Sequence, residues 1–292
     1  MGIKWIEIFL WYRCNLNCVF CFQKNLRKTE KNNIDYLKVK KIIDDWSENW
    51  KKSIIFSWWE PLLDKNIFDY ISFAKQKGYT DIRIHSNWLI LSKKEIFEQY
   101  ILSWVNAFIV SIHWYWEVHD ISVRSKWAFD KIKITLINFL ELKKKYNYLV
   151  LDTNTVLTKY NYNTLDKLFK FLSFFPITRS QLVQLYSLWL YENKEKKSLY
   201  VKYEDFNWYL DNIIKIYWKN ITLENFPFCQ VNEFVYNNII KRQIYNNDAF
   251  WYLWENLEES STMYIEKCKK CEYKSFCAWI PKDYLQIFNI GN

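Results

Sequence analysis

The segment Arg13-Cys14-Asn15-Leu16-Asn17-Cys18-Val19-Phe20-Cys21 (RCNLNCVFC) decides how this chain is read. Its three cysteines stand at C-x3-C-x2-C spacing, directly after an apolar stretch at 4–10 that reads as a β-strand. Thiolates so spaced wrap a loop around one compact centre. Three of them on a four-iron cube leave one iron open to an outside ligand. A structural zinc site instead closes four ligands, usually as two C-x2-C pairs. Zinc, or reduced thiols in a loop, are the alternatives. The loop sits at the C-terminal end of a strand, where βα barrels build their active sites.

Working outward, short apolar strands alternate with amphipathic helices. Strands are expected at 4–10, Ser53–Ser57, Asp81–His85, Asn106–His113, Tyr148–Leu157 and Gln181–Ser187. Helices are expected between them at 35–48, 66–77, 92–102, 128–146 and 163–174. Such alternation implies a parallel sheet with right-handed crossovers. Residues 1–190 are too few for an eight-unit barrel, which typically needs ~250. The expected fold class is therefore α/β, a partial (β/α)6 barrel. YENKEKK (191–197) is a charged stretch inside a linker at 191–202. A helix at 203–218 and a cysteine-bearing tail from 225 make a small C-terminal domain, 203–292.

The 292 residues suit one barrel-sized domain with a small appendix. With 50% hydrophobic and 25% charged residues, the chain can build a sizeable core, which excludes intrinsic disorder. The net charge of +9 comes from lysines spread along the sequence rather than massed, so a nucleic-acid partner is not expected. No run approaches the ~18 apolar residues of a membrane span. Glu7 interrupts the apolar start and no cleavage site follows, so a cytoplasmic, reducing location is expected. There, seven cysteines are metal ligands more readily than disulfides. One count is anomalous: 3 glycines against 17 tryptophans. Average usage would give about 20 glycines.

The cysteine triplet, with aromatic Phe20 before its last member, resembles the signature of the radical S-adenosylmethionine (SAM) enzymes. The resemblance implies that Cys14, Cys18 and Cys21 hold a [4Fe-4S] cluster whose open iron chelates the amino and carboxylate groups of SAM. It further implies reductive cleavage of SAM to methionine and a 5′-deoxyadenosyl radical, which abstracts hydrogen from a substrate. An electron donor such as flavodoxin or ferredoxin is the implied partner.

The family carries Gly-Gly-Glu-Pro at the end of the second strand, where bare backbone approaches the SAM amino group. Here the stretch is SWWEPLL (57–63): Glu60 and Pro61 match, and Trp58 and Trp59 stand where both glycines belong. HSNWLIL (85–91) has Trp88 in place of an Asn-Gly turn. SIHWYWEVHDISVRSKWAFDKI (111–132) has Trp114, Trp116 and Trp127 at glycine-like positions. Trp50 falls at a helix C-cap, a usual glycine site, and Trp279 where related tails read Cys-x-Gly. A gene that reads UGA as glycine, translated with UGA as tryptophan, produces this pattern. Positions 50, 58, 59, 88, 114, 127 and 279 are its strongest candidates; Trp11, Trp104, Trp116, Trp189 and Trp218 are weaker ones. Trp5 and Trp46 read as native. Taken literally, two indoles at the amino-group site exclude the cofactor.

By the same resemblance, Ser86, Asn87, Ser111 and His113 contact SAM from the ends of strands three and four. Ordinary strand-end capping is the plainer account of such residues. All three histidines, His85, His113 and His119, fall at or after strand C-termini. His119, Asp120 and Arg124 are candidates for a substrate carboxylate or phosphate, or for pegging the loop locally.

Cys229, Cys268, Cys271 and Cys277 complete the count. Four thiolates close one [4Fe-4S] cluster or one zinc, with iron–sulfur favoured. The tail resembles a shortened SPASM- or twitch-like auxiliary-cluster domain. Enzymes with such tails often modify peptide or protein side chains, and others act on small metabolites. A peptide substrate is expected first. The alternatives are a small metabolite, or a non-catalytic iron–sulfur or zinc protein that keeps the fold without SAM.

Overall fold

The computed structural model describes residues 5–10, 13–21, 35–48, 52–57, 59–185, 198–217, 220–224, 226–240, 262–263, 265–271, 277 and 280–288. Seven strands form one parallel sheet in chain order, curled into a half-barrel. They are β1 (Trp5–Phe9), β2 (Ser53–Ser57), β3 (Asp81–Ser86), β4 (Ala107–Ser111), β5 (Val150–Val156), β6 (Arg179–Val183) and β7 (Ile221–Glu224). The connecting helices are α1 (Tyr36–Ser47), α2 (Ile67–Gln76), α3 (Lys94–Leu102), α4 (Glu117–Val123), α5 (Ala128–Lys145), α6 (Leu165–Leu172) and α7 (Tyr203–Tyr217).

The six expected strands are present and the sheet gains a seventh. ITLE at 221–224 pairs in parallel with β6, beyond the sequence boundary near 190. The short helix α4 was also unanticipated. A four-residue strand and a seven-residue helix leave too little periodicity to read. The linker stretch 191–197 lies outside the described residues.

Alternation sorts each strand into two faces. Ile6, Ile8, Ile54, Phe56, Ile82, Ile84, Leu151, Leu182, Ile221 and Leu223 face the helices in one continuous core. That burial drives the fold, at about 25 cal/mol per Å² of apolar surface. The other face is mixed, with Glu7, Arg83, His85, Asp152, Asn154, Gln181 and Glu224 beside apolar Trp5, Phe9, Ile55 and Ile109, and lines the lumen. Glu224 pairs with Val183 and Val183 with Val156, six residues beyond Val150. Val150 traces back through Ala107, Arg83 and Ile55 to Glu7. Six strand-to-strand steps thus accumulate six residues of stagger, about one per strand, as in a tilted barrel. That stagger levels Glu7 with Glu224, and the two carboxylates sense one another electrostatically across the lumen.

Candidate active site at the strand C-termini

The cysteine loop leaves β1 and is tied to its surroundings by backbone. Glu60 N–H donates to the Arg13 carbonyl (3.2 Å), Asn17 N–H to Val123 O (3.3 Å) and Val19 N–H to Ser122 O (2.8 Å). Leu16 packs with Val123 and Ala128, and Cys14, Cys18 and Leu89 lie against that small apolar cluster. Cys14, Cys18 and Cys21 are half-buried and none is in a disulfide. Two donors point at the Cys14 sulfur: Leu16 N–H at 3.4 Å and Asn87 Nδ2 at 3.8 Å. N–H groups aimed at sulfur suit a thiolate, the form that binds metal. Among the described residues, no three His, Cys, Asp or Glu side chains converge as they would around a single metal ion.

Asn87 also donates to Asn15 Oδ1 at 2.6 Å, so the end of β3 grips the cysteine loop directly. Glu60 holds Asn87 in turn. Its carboxylate is fully buried and accepts from Ser86 Oγ (2.8 Å), Asn87 N–H (2.9 Å) and Leu62 N–H (3.1 Å). Burial raises its pKa to about 7, against the pull of these three donors. Glu60 and Pro61 therefore form a buried pin joining the ends of β2 and β3. Trp58 lies outside the described residues. Trp59 takes φ 49°, the left-handed region that a bulky side chain avoids.

The loop after β4 is organised by its histidines. His113 N–H donates to His119 Nδ1 (3.2 Å), and Val156 N–H donates to His113 Nδ1 (3.2 Å). Both imidazoles are buried, which lowers their pKa values, His119 to about 3, so both are neutral. The Phe20 and His113 rings pack edge to face with centroids 4.4 Å apart, coupling the cysteine loop to the end of β4. Ser111 Oγ bonds His85 Nε2 at 3.1 Å. The sequence placed all three histidines at the mouth. The structure gathers His113 beneath the cysteine loop, buries His119 behind it, and points His85 into the lumen.

Asp120 uses both oxygens on backbone, taking Trp127 N–H at 2.6 Å and Phe129 N–H at 2.8 Å. It caps α5 and so pegs the loop, the local role that the sequence left open. Arg124 is the left-handed C-cap of α4. Asn161 was missed by sequence reasoning. It is buried, and its amide donates to His113 O (2.6 Å) and Val156 O (2.7 Å), locking β4 to β5. An Asn inside KYNYN (159–163) carries no signal that distinguishes it from a turn residue.

In the tail, Cys271 N–H donates to Cys268 O at 3.2 Å, the same turn that Cys21 N–H makes to Cys18 O at 3.2 Å. Cys268, Cys271 and Cys277 are half-buried and Cys229 is exposed. Tyr203 is buried, and that burial, then its tyrosine neighbours, then Cys229 and Cys277 push its pKa upward. Cys229 and Cys277, 48 positions apart, therefore lie near one phenol.

A parallel half-barrel with a three-cysteine loop at the end of its first strand defines a class, and the comparisons agree. The family model of the radical SAM superfamily matches residues 8–172, more than half of the chain. The chain belongs to that superfamily. Among solved structures it is similar to native anSMEcpe with bound AdoMet and Kp18Cys peptide: TM-score 0.62, 14% identity, covering 98% of this chain and 95% of that one. It is also similar to Streptococcus suis SuiB bound to precursor peptide SuiA: TM-score 0.55, 16% identity, covering 76% of this chain. The chain spans about half of SuiB, 48% of its length. No curated protein matches. No helix among the described residues is long and apolar enough to cross a membrane.

Proposed function

We propose that this chain is a radical SAM enzyme that abstracts hydrogen from a peptide or protein side chain, with a small C-terminal auxiliary-cluster domain. The observation that carries the reading is the half-buried Cys14, Cys18 and Cys21 loop, with N–H donors aimed at the Cys14 sulfur, at the mouth of the half-barrel. The donor set fits a [4Fe-4S] cluster held by three thiolates. Such a cluster supplies the electron that cleaves bound SAM. The chain's own part is orientation. Glu60 fixes Ser86 and Asn87, Asn87 fixes the cysteine loop, and Phe20 and His113 pack where loop and β4 meet. Glu60, Pro61, Ser86, Asn87, Ser111 and His113 are the proposed SAM-face residues, with the backbone at 58 and 59. His119 and Arg124 act by holding the loop, as Asp120 does. An electron donor of flavodoxin or ferredoxin type, and a reducing cytoplasm, go with this chemistry. The peptide substrate is supported by two structural relatives that hold peptides, SuiB with precursor peptide SuiA and anSMEcpe with Kp18Cys peptide.

Cys229, Cys268, Cys271 and Cys277 are the proposed ligands of one auxiliary [4Fe-4S] cluster. The nearness of Cys229 and Cys277 to Tyr203 supports this, as does the turn at Cys268–Cys271 repeating that at Cys18–Cys21.

The functional chain carries glycine at several positions printed as tryptophan. Six described non-glycine residues have positive φ, and five are tryptophans: Trp59 (49°), Trp88 (65°), Trp104 (81°), Trp116 (62°) and Trp127 (65°). A Cβ there costs roughly 1–2 kcal/mol. Trp88 is also fully buried with its indole N–H unpartnered. Trp114 is buried and is not in this set. The codons test the reading: UGA at 58 and 59 supports it and UGG overturns it. For a chain with native Trp59, a second reading holds, a fold-preserving iron–sulfur or zinc protein without SAM. Anaerobic reconstitution separates the two: 5′-deoxyadenosine formation supports the enzyme, and metal without SAM cleavage supports the other.

A further inference from the structure

We propose that the Tyr203 hydroxyl donates a hydrogen bond to a thiolate sulfur of the auxiliary cluster and so raises that cluster's reduction potential. This rests on the auxiliary-cluster reading of Cys229, Cys268, Cys271 and Cys277. It adds to that site a residue that tunes the cluster rather than ligating it.

Packing places Tyr203 against both segments that carry Cys229 and Cys277. The residue opens α7 and is 2% exposed. Its ring meets Tyr284 with centroids 4.3 Å apart, and Tyr284 follows Cys277 in the chain. It also meets Phe226 at 6.4 Å, just before Cys229. Tyr284 and Phe226 are themselves buried. Cys229 and Cys277 are accordingly electrostatic neighbours of the Tyr203 phenol.

Three phenols share this corner, and two of them are engaged. Tyr200 Oη donates to Leu185 O at 3.5 Å, and Tyr284 Oη accepts the Tyr203 N–H at 2.8 Å. The Tyr203 hydroxyl is buried with no hydrogen-bond partner. A phenylalanine would serve the same ring packing, so the hydroxyl is the part that packing does not use. A buried polar atom left open calls for a partner beyond the folded chain, and a sulfur-ligated cluster beside it supplies one.

The chemistry sets the direction. A phenol is protonated at neutral pH, so it meets a thiolate as donor. Bonds to a charged acceptor are the stronger kind. One-electron reduction adds negative charge to the cluster. A donor aimed at its sulfur therefore stabilises the reduced form more than the oxidised form, and the potential rises. The N-terminal cysteine loop carries the same device, with Leu16 N–H and Asn87 Nδ2 aimed at the Cys14 sulfur.

The test is a redox titration, followed by electron paramagnetic resonance, of the reconstituted full chain carrying Cys18→Ala. That background keeps about four irons, those of the auxiliary cluster. Adding Tyr203→Phe should make the cluster harder to reduce, by about tenfold in the reduction equilibrium, or about 59 mV for one electron. Tyr284→Phe removes the neighbouring phenol and should leave the potential where it was. In the metal-free chain Tyr203→Phe should not lower the unfolding midpoint, since it deletes a hydroxyl that is buried unpaired. Full iron with an unchanged potential in Tyr203→Phe, or an equal shift in both variants, overturns the donor and leaves the cluster reading standing. A Cys18→Ala chain that takes up no iron overturns the auxiliary cluster, and the donor with it.

Discussion

Trp104 occupies the same backbone position as Gly78. Each follows a helix, and each donates its N–H to the carbonyl three residues back, Trp104 to Ile101 and Gly78 to Lys75, at 3.1 Å in both. The next residue donates five back, Val105 to Tyr100 and Tyr79 to Ala74, again at 3.1 Å. The φ angles are 81° and 86°. This is the Schellman motif, whose left-handed residue is normally glycine. One of the three glycines in the chain stands at one copy and an indole at the other.

Trp104→Gly should therefore stabilise the printed chain by about 1–2 kcal/mol. The cation–π contact of Lys75 Nζ with the Trp104 ring, at 4.3 Å, offsets part of the gain. Gly78→Trp should lose a similar amount. Urea unfolding midpoints check both, and a destabilised Trp104→Gly would contradict the assignment of glycine to that turn.

Asp120→Ala removes the cap that receives the Trp127 and Phe129 amides. The expected cost is about 1 kcal/mol of stability. Cluster loading should stay intact, since Asp120 touches no cysteine-loop atom in these bonds. Iron content and thermal midpoint, measured on one preparation, separate the two effects. Loss of iron with an unchanged midpoint would assign Asp120 a ligand-side role instead.

Asn87→Ala removes the amide that bonds both Asn15 and Cys14. The cysteine loop loses its tie to β3, so the cluster in this variant should be lost to chelator several-fold faster. Removing an N–H···S donor also makes a cluster harder to reduce. Bleaching of the iron–sulfur absorbance with chelator, and a redox titration, read the two effects. Identical traces for parent and variant would contradict this role.

Glu7 makes stability depend on pH. Its pKa is raised from 4.5 to about 7 in the folded chain. A raised carboxyl contributes stability that is complete below pH 4.5 and lost as pH rises through about 7. Glu7→Gln removes that loss. Its stability relative to the parent should rise between pH 4.5 and 8, by an amount on the order of 1–3 kcal/mol. His85 and His119, lowered to about 4 and 3, act oppositely, destabilising both proteins as pH falls below 6.5. A pH-independent difference between the two would show that Glu7 is solvated when folded.

The barrel was legible because its first six strands are short segments whose core-facing positions are apolar, and its longer helices carry clear helical spacing. The cysteine loop was legible because spacing alone brings thiolates together. β7 was not, since ITLE is short and follows a helix that reads as part of the tail. The lumen was not legible either. Glu7 and Glu224 are 217 positions apart, and only the accumulated stagger of six strand pairs levels them. For Asp120 the sequence left a substrate contact and a loop peg both open; its backbone partners lie 7 and 9 residues downstream, in a cap that propensity does not reveal.

On the proposed function, Cys14, Cys18 and Cys21 hold a cluster that cleaves SAM against a face of bare backbone. The direct measurement is 5′-deoxyadenosine released per chain under anaerobic reduction, from reconstituted protein with glycine at 58, 59, 88, 104, 116 and 127. The account predicts release that is abolished by Cys18→Ala, with about four irons lost of about eight. Absence of release from the glycine form, with both clusters loaded, would contradict it.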